Sequence, residues 1–216
     1  MKERLSLKLL TGCFIAASLL TGIQEVRAEG GFEDGFLVRV RGIAVAPDES
    51  SFVTPIGGDV TIDTAYVPEL DISYFLNKNF AVELILATSE HDAGATGTTL
   101  GNLDLGDFWL LPPTLLAQYH LPLGKKFKPY VGTGINYSMT YGEDAAGGTV
   151  TDFELDNGIG WAAQVGIDYM IDEHWLINAD VKKLWVNLDA RLNNGAITAD
   201  IDVDPWIIGF GVGYRF

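Results

Sequence analysis

The sequence predicts an all-β fold, an eight-stranded antiparallel up-and-down transmembrane β-barrel, and three observations lead there. An export signal opens the chain. Beyond it, eight segments alternate apolar and polar side chains residue by residue, the mark of strands with one greasy face. No apolar run past residue 28 approaches the 18 or so residues that a membrane helix needs, so a membrane span here is built from strands.

The signal reads from Lys2 and Arg4, through an apolar stretch of residues 9–23, to small residues at Val26-Arg27-Ala28, with the mature chain expected from Glu29. Leu10-Thr11-Gly12-Cys13 leaves a lipoprotein signal open as the competing reading, against which the apolar run continues past Cys13. Removing residues 1–28 takes four of the 14 basic and two of the 29 acidic residues, so the remaining 188 carry a formal charge of about −17. Such a chain is an improbable partner for nucleic acid and forms one domain, residues 29–216. Cys13 is the only cysteine, which excludes disulfide chemistry from the mature barrel.

The first strand spans residues 36–45, with Phe36, Val38 and Val40 on one face against Leu37, Arg39 and Arg41. Residues 66–76 set Leu70, Ile72 and Tyr74 against Glu69, Asp71 and Ser73, and turn at Asn77-Lys78-Asn79 into 80–88, where Glu83, Ile85 and Ala87 oppose Val82, Leu84 and Leu86. A polar loop is expected over 89–107. Residues 108–121 follow, with Pro112 and Pro113 near the start and Gln118 opposite Ala117 and Tyr119. The strand 127–141 gathers Tyr130, Gly132, Gly134, Asn136 and Ser138 on one face, before a second loop over 142–157. Residues 158–170 place Trp161, Val165 and Tyr169 outside and Gln164, Gly166 and Asp168 inside. Their partner sets Trp175, Ile177 and Val181 against Asn178, Asp180 and Lys182. Past Lys183 the apolar residues change phase, which a bulge at Lys182-Lys183 or emergence of the strand from lipid would explain. The last strand, 205–216, carries Trp206, Ile208, Phe210, Val212, Tyr214 and Phe216 on one face and Gly209, Gly211, Gly213 and Arg215 on the other.

A soluble sandwich has no use for glycines on a solvated face, whereas a narrow barrel needs small inward residues to make room for larger neighbours. Trp175, Tyr169, Tyr119, Phe80, Tyr74, Tyr214 and Phe216 gather near the short-turn ends, and Trp109, Tyr137, Trp161 and Trp206 near the others, as two aromatic belts. Phe210, Val212, Tyr214 and the terminal Phe216 form the pattern that outer-membrane assembly machinery reads.

Leu111-Pro112-Pro113-Thr114-Leu115-Leu116-Ala117-Gln118-Tyr119, Lys128-Pro129-Tyr130-Val131-Gly132-Thr133-Gly134, Trp161-Ala162-Ala163-Gln164-Val165-Gly166, Asp204-Pro205-Trp206 and Gly213-Tyr214-Arg215-Phe216 together resemble the OmpW family of outer-membrane proteins. That resemblance implies passage of small hydrophobic molecules across a Gram-negative outer membrane, through a partly apolar lumen closed towards the periplasm, with exit sideways into the bilayer. It also implies outer-membrane lipid and lipopolysaccharide as surroundings, and no cofactor. Ile85 is then a candidate for the apolar wall, although Lys182 is expected near its level beside Glu83 and Asp180.

Charges inside so narrow a barrel must pair, and Arg39, Arg41, Lys182 and Arg215 have Glu69, Asp71, Glu83, Asp168 and Asp180 as partners. With Gln118, Gln164 and Ile85 these are the lumen or constriction candidates, either a plug of ion pairs or a polar filter. The alternative class is a non-conducting structural or receptor barrel whose loops bind a ligand. Among the histidines, His91 beside Ser89 is the single pairing that could suggest hydrolysis, and one such pair is a weak sign, so no enzyme is expected. His120 and His174 are expected to cap turns. The loop acids Asp48, Glu49, Glu90, Asp92, Glu143, Asp144, Asp152 and Glu154 have no spacing of a calcium loop.

Overall fold

The structure, a computed structural model, describes residues 35–121, 123 and 126–216. The expected signal segment and its cleavage site lie outside these residues.

Eight strands close the barrel. In chain order they are β1 (Gly35–Ala46), β4 (Ala65–Phe75), β5 (Phe80–Ala87), β8 (Thr114–His120), β9 (Phe127–Ala145), β11 (Gly158–Met170), β12 (Trp175–Trp185) and β15 (Trp206–Arg215). The numbers between belong to shorter strands of the long-loop end: β2 (Ser50–Thr54), β3 (Asp59–Ile62), β6 (Ser89–Thr98), β7 (Gly101–Leu111), β10 (Phe153–Leu155), β13 (Asn187–Leu192) and β14 (Ile197–Asp202). Each barrel strand pairs antiparallel with its chain neighbours in the barrel, and β15 returns to β1 with Val38 opposite Tyr214 and Val40 opposite Val212. Closure pairs each barrel strand on both sides, so the backbone polar groups of the wall find partners within it along almost all of its length, as hydrocarbon requires.

The short turns are tied by side chains. Asn77 Oδ1 accepts from the backbone N–H groups of Asn79 and Phe80, and Asp172 Oδ1 from those of His174 and Trp175 at 2.8 and 2.7 Å. These two donors hold the exposed Asp172 carboxyl below its ordinary value. At this end, rings pair on the outer face: Phe36 with Tyr74, Phe80 with Tyr119, Phe127 with Tyr169 and Trp175 with Tyr214, each with centroids about 5.0 Å apart. Together they form the expected belt, extended by Phe36 and Phe127.

The long-loop end departs from the sequence reading. Residues 89–107 and 142–157, expected as loops, instead supply β6, β7, the end of β9 and β10, because their inward faces carry Ala93, Ala95, Leu105 and Phe153 and pack a core of their own. Residues 187–202 form the hairpin β13–β14, whose inward residues Leu188, Ala190, Leu192, Ile197, Ala199 and Ile201 alternate with polar ones around a turn at Asn193-Asn194-Gly195. Asn193 and Asn194 take left-handed backbone there, at φ 52° and 58°, a conformation asparagine tolerates better than most residues.

No bulge occurs at Lys182-Lys183. The register of β12 runs unbroken against β11 and β15, and Leu176, Asn178, Asp180, Lys182 and Leu184 all face inward. What changes at this point is the chemistry of the interior, from charged to apolar, while the strand keeps its phase.

Candidate functional site: an apolar vestibule over an ionic layer

The interior is layered along the barrel axis. Arg39 and Arg41 on β1 organise the middle layer. Arg39 grips Asp168 with Nε at 3.1 Å and Nη2 at 2.7 Å, and reaches Glu83 and Ser73 with Nη1 at 2.9 Å each. Its guanidinium lies over the Tyr130 ring, 5.2 Å from the centroid. Arg41 meets Asp71 and Asp180 at 2.6 Å, Glu69 at 3.0 Å and Asn178 Oδ1 at 3.0 Å. Lys182 Nζ bridges Glu69 at 2.6 Å and Asp180 at 3.2 Å. Three cations thus face five carboxylates, and amides cover further oxygens: Gln118 donates to Glu83 and Gln164, and Gln164 donates to Asp180. All these groups are buried, Arg39 and Asp71 completely.

Glycines on the facing strands make the space. A Cβ on Gly166 would lie 2.4 Å from Tyr130 Cζ, so the ring occupies the volume that any other residue would fill. Tyr130 then receives a hydrogen bond from Asn178 at 2.9 Å. Strand phase alone puts Tyr130 and Asn178 on the inward face but does not single them out. The run of inward glycines around them was the available signal that a large ring sits opposite.

One step towards the long-loop end, the inward residues of most strands turn apolar: Ile43 after Arg41, Ile85 after Glu83, Leu184 after Lys182, Leu116 before Gln118, Ala162 before Gln164 and Ile207 before Gly209, while Thr114, Asn136 and Ser138 form a buried hydrogen-bonded cluster on β8 and β9. Ile85 therefore sits above the ionic layer, and Lys182 turns down into it and not towards Ile85. Farther out, β2, β3, β6, β7, β10, β13 and β14 enclose a vestibule with entirely apolar lining, including Val53, Leu105, Phe108, Phe153, Leu188 and Ile201, and with about 20 Å³ free between its walls. That is room for about one water, so a larger guest must part the side chains.

Below the charges, Leu37, Phe75, Ala81 and Leu176 close the short-turn end. His120 belongs to this floor and caps no turn. Its ring stacks on Tyr130 at 4.9 Å, lies 4.8 Å from Phe75, and Nε2 is 3.1 Å from Gln118 Oε1. His174 does lie at its turn, with its ring stacked on Tyr214. Arg215 lies towards this floor, its guanidinium 5.0 Å from the Phe75 ring centroid and within electrostatic reach of Asp168. The remaining candidates, Glu69, Asp71, Glu83, Gln118, Gln164, Asp168, Asp180 and Lys182, are brought together with the two arginines as described. Loop acids serve the scaffold: Glu49 accepts from Ile62 N, Asp152 from Asn194 N, and Asp48 pairs with Lys183.

The wall itself is interrupted at the level of Ile85. The ladder between β5 and β8 stops at Ile85 opposite Thr114 and resumes between β6 and β7 at Ser89 opposite Leu110. Residues 86–88 and 111–113 face each other across this break, and Pro112 and Pro113 bring no N–H to close it. On the outside, Thr88 and Tyr141 hydroxyls at 2.6 Å tie the flanks.

A closed eight-stranded meander with short turns at one end, extended strands at the other and lipid-facing aromatic belts defines an outer-membrane barrel. The chain belongs to the OmpW family, whose model matches residues 33–216. It is 41% identical over 214 residues to the uncharacterized outer-membrane protein y4mB of Sinorhizobium fredii, covering 94% of this chain and 91% of that one. It is 33% identical over 194 residues to outer membrane protein W of Vibrio cholerae, covering 85% and 89%. Among solved structures, the outer membrane protein OprG of Pseudomonas aeruginosa superposes with a TM-score of 0.79 at 32% identity, over 85% of this chain and 96% of that chain. The protein resides in the outer membrane, with the short turns on the periplasmic side as in other barrels of this kind.

Proposed function

We propose that this barrel passes small hydrophobic molecules from the outside into the outer membrane without conducting ions and without a catalytic step. One observation carries the reading: the apolar interior ends on the ionic layer at the same level at which the wall's ladder is interrupted. A solute that parts the vestibule walls moves down through largely apolar surroundings, past polar groups that are already hydrogen-bonded, to Ile85. Farther descent would bury it among paired charges, where it gains no hydrogen bond and displaces those already made. The break flanked by residues 86–88 and 111–113 offers an apolar exit to the bilayer instead. We also take the outward row Phe210, Val212, Tyr214 and Phe216 as the segment that the assembly machinery binds, so deletion of Phe216 is expected to slow insertion.

The test is uptake of naphthalene by vesicles carrying the refolded barrel, against empty vesicles. Pro112→Val/Pro113→Val restores two N–H donors at the break and is expected to lower the excess uptake severalfold. Equal uptake with and without barrel defeats the proposal. The narrow free space in the vestibule favours a second reading, a non-conducting structural or receptor barrel, which that outcome would leave standing.

A further inference from the structure

Between the vestibule and Ile85, the inward face of β6 carries two adjacent polar residues, Ser89 and His91, where Ala87 precedes and Ala93 follows, apart from the self-bonded cluster of Thr114, Asn136 and Ser138 on β8 and β9. Both are buried, at 4% and 2% exposure, and the His91 ring stacks at 5.7 Å on Phe108, a lining residue of the vestibule. Polar groups in an apolar lining are costly unless bonded, and these two are bonded in a directed way. His91 Nδ1 lies 3.0 Å from the Asp63 carbonyl oxygen, which only accepts. In the neutral form of the ring the proton is therefore on Nδ1, and Nε2 is the acceptor. Ser89 Oγ, 2.9 Å from Nε2, must then donate its proton to the ring. The arrangement is fixed from behind, since Asp63 Oδ1 accepts from Asp92 N at 2.8 Å and Asp92 O from Asp63 N at 3.3 Å. With its only proton committed, Ser89 Oγ presents lone pairs alone.

We propose that Ser89 Oγ is a hydrogen-bond acceptor for the permeant, so that the barrel favours apolar molecules bearing one hydroxyl donor, such as phenols and alcohols. Ser89 and His91 are then specificity residues, with His91 acting through the serine proton. The inference rests on the vestibule admitting apolar solutes. A largely apolar passage with few placed polar groups discriminates by the group that is left an unfilled acceptor, because the wrong partner leaves it unpaired.

The test is equilibrium binding at pH 8 to the barrel in lipid nanodiscs, with empty nanodiscs correcting for partition, using naphthalene, 1-methoxynaphthalene and 1-naphthol. One neutral hydrogen bond gives 1-naphthol about a fivefold tighter Kd than 1-methoxynaphthalene. Ser89→Ala is expected to bring the two together by weakening 1-naphthol alone, His91→Phe to abolish the preference, and Ser89→Thr to keep it. If Ser89→Ala fails to fold, Ser89→Cys, a far weaker acceptor, carries the same comparison. Equal binding of all three probes by the wild type, or a preference that survives Ser89→Ala, overturns the inference and leaves hydrophobic uptake standing. Binding of no probe above empty nanodiscs overturns both.

Discussion

Replacing Arg41 by Met tests the ionic layer at its centre. The guanidinium touches three carboxylates, yet its loss should not cost three unpaired charges. Lys182 already lies 2.6 Å from Glu69 and 3.2 Å from Asp180, so both keep a cation. Asp71, which pairs with Arg41 at 2.6 Å and is fully buried, loses its partner. Breaking one buried pair from one side costs about 3–5 kcal/mol, and that is the expected destabilisation. Urea unfolding from lipid vesicles, followed by the fluorescence of the five tryptophans, measures it. Adding Asp71→Asn to Arg41→Met removes the stranded charge and should recover about half of the loss or more. A loss under about 1 kcal/mol, within the range of an exposed pair, or a double variant no better than the single, would refute the reasoning.

Gly166→Ala places a Cβ where Tyr130 lies and should cost about 1–3 kcal/mol by overpacking; Tyr130→Leu in the same chain should relieve it, and failure of that rescue in urea unfolding would show the clash is not the cause. Ile85→Trp fills the apolar level beneath the vestibule and is expected to cut naphthalene uptake severalfold while leaving the barrel folded by heat-modified gel mobility; unchanged uptake would remove Ile85 from the route. Asp172, held low by two backbone N–H donors, contributes stability that is present above its unfolded value and lost as pH falls through its lower folded value. Wild type should therefore lose its advantage over Asp172→Asn below about pH 4, and a gap between the two that stays constant down to strong acid would contradict that assignment.

The barrel was legible because its strands alternate against a uniform lipid exterior. Trp161, Val165 and Tyr169 on one face and Gln164, Gly166 and Asp168 on the other leave one choice of inside. The long-loop end was harder for a physical reason: once past the ionic layer the inward face becomes apolar, so the contrast that marked the inside inverts. Leu184, Val186 and Leu188 looked like a change of phase when they were a change of neighbours. The hairpin at 187–202 was nevertheless written in the strict alternation of Leu188, Ala190 and Leu192 and in Asn193-Asn194-Gly195. The members of the ionic layer could be named from strand phase, but their partners could not, because pairing depends on how strands far apart in the chain meet across the barrel. Arg39 meets Asp168 from 129 residues away. His120 was misplaced for a related reason: its position at a strand end suggested a turn, while its inward phase, shared with Gln118, carried it into the floor beside Tyr130.

The central claim, an apolar passage above an electrical seal, is tested most directly by measuring ion current and naphthalene uptake on the same refolded preparation, in planar bilayers and in vesicles. The expected result is no resolved single-channel current together with uptake clearly above that of empty vesicles. A steady ion current through the wild-type barrel would contradict the sealed ionic layer, and uptake no greater than the control would contradict the passage.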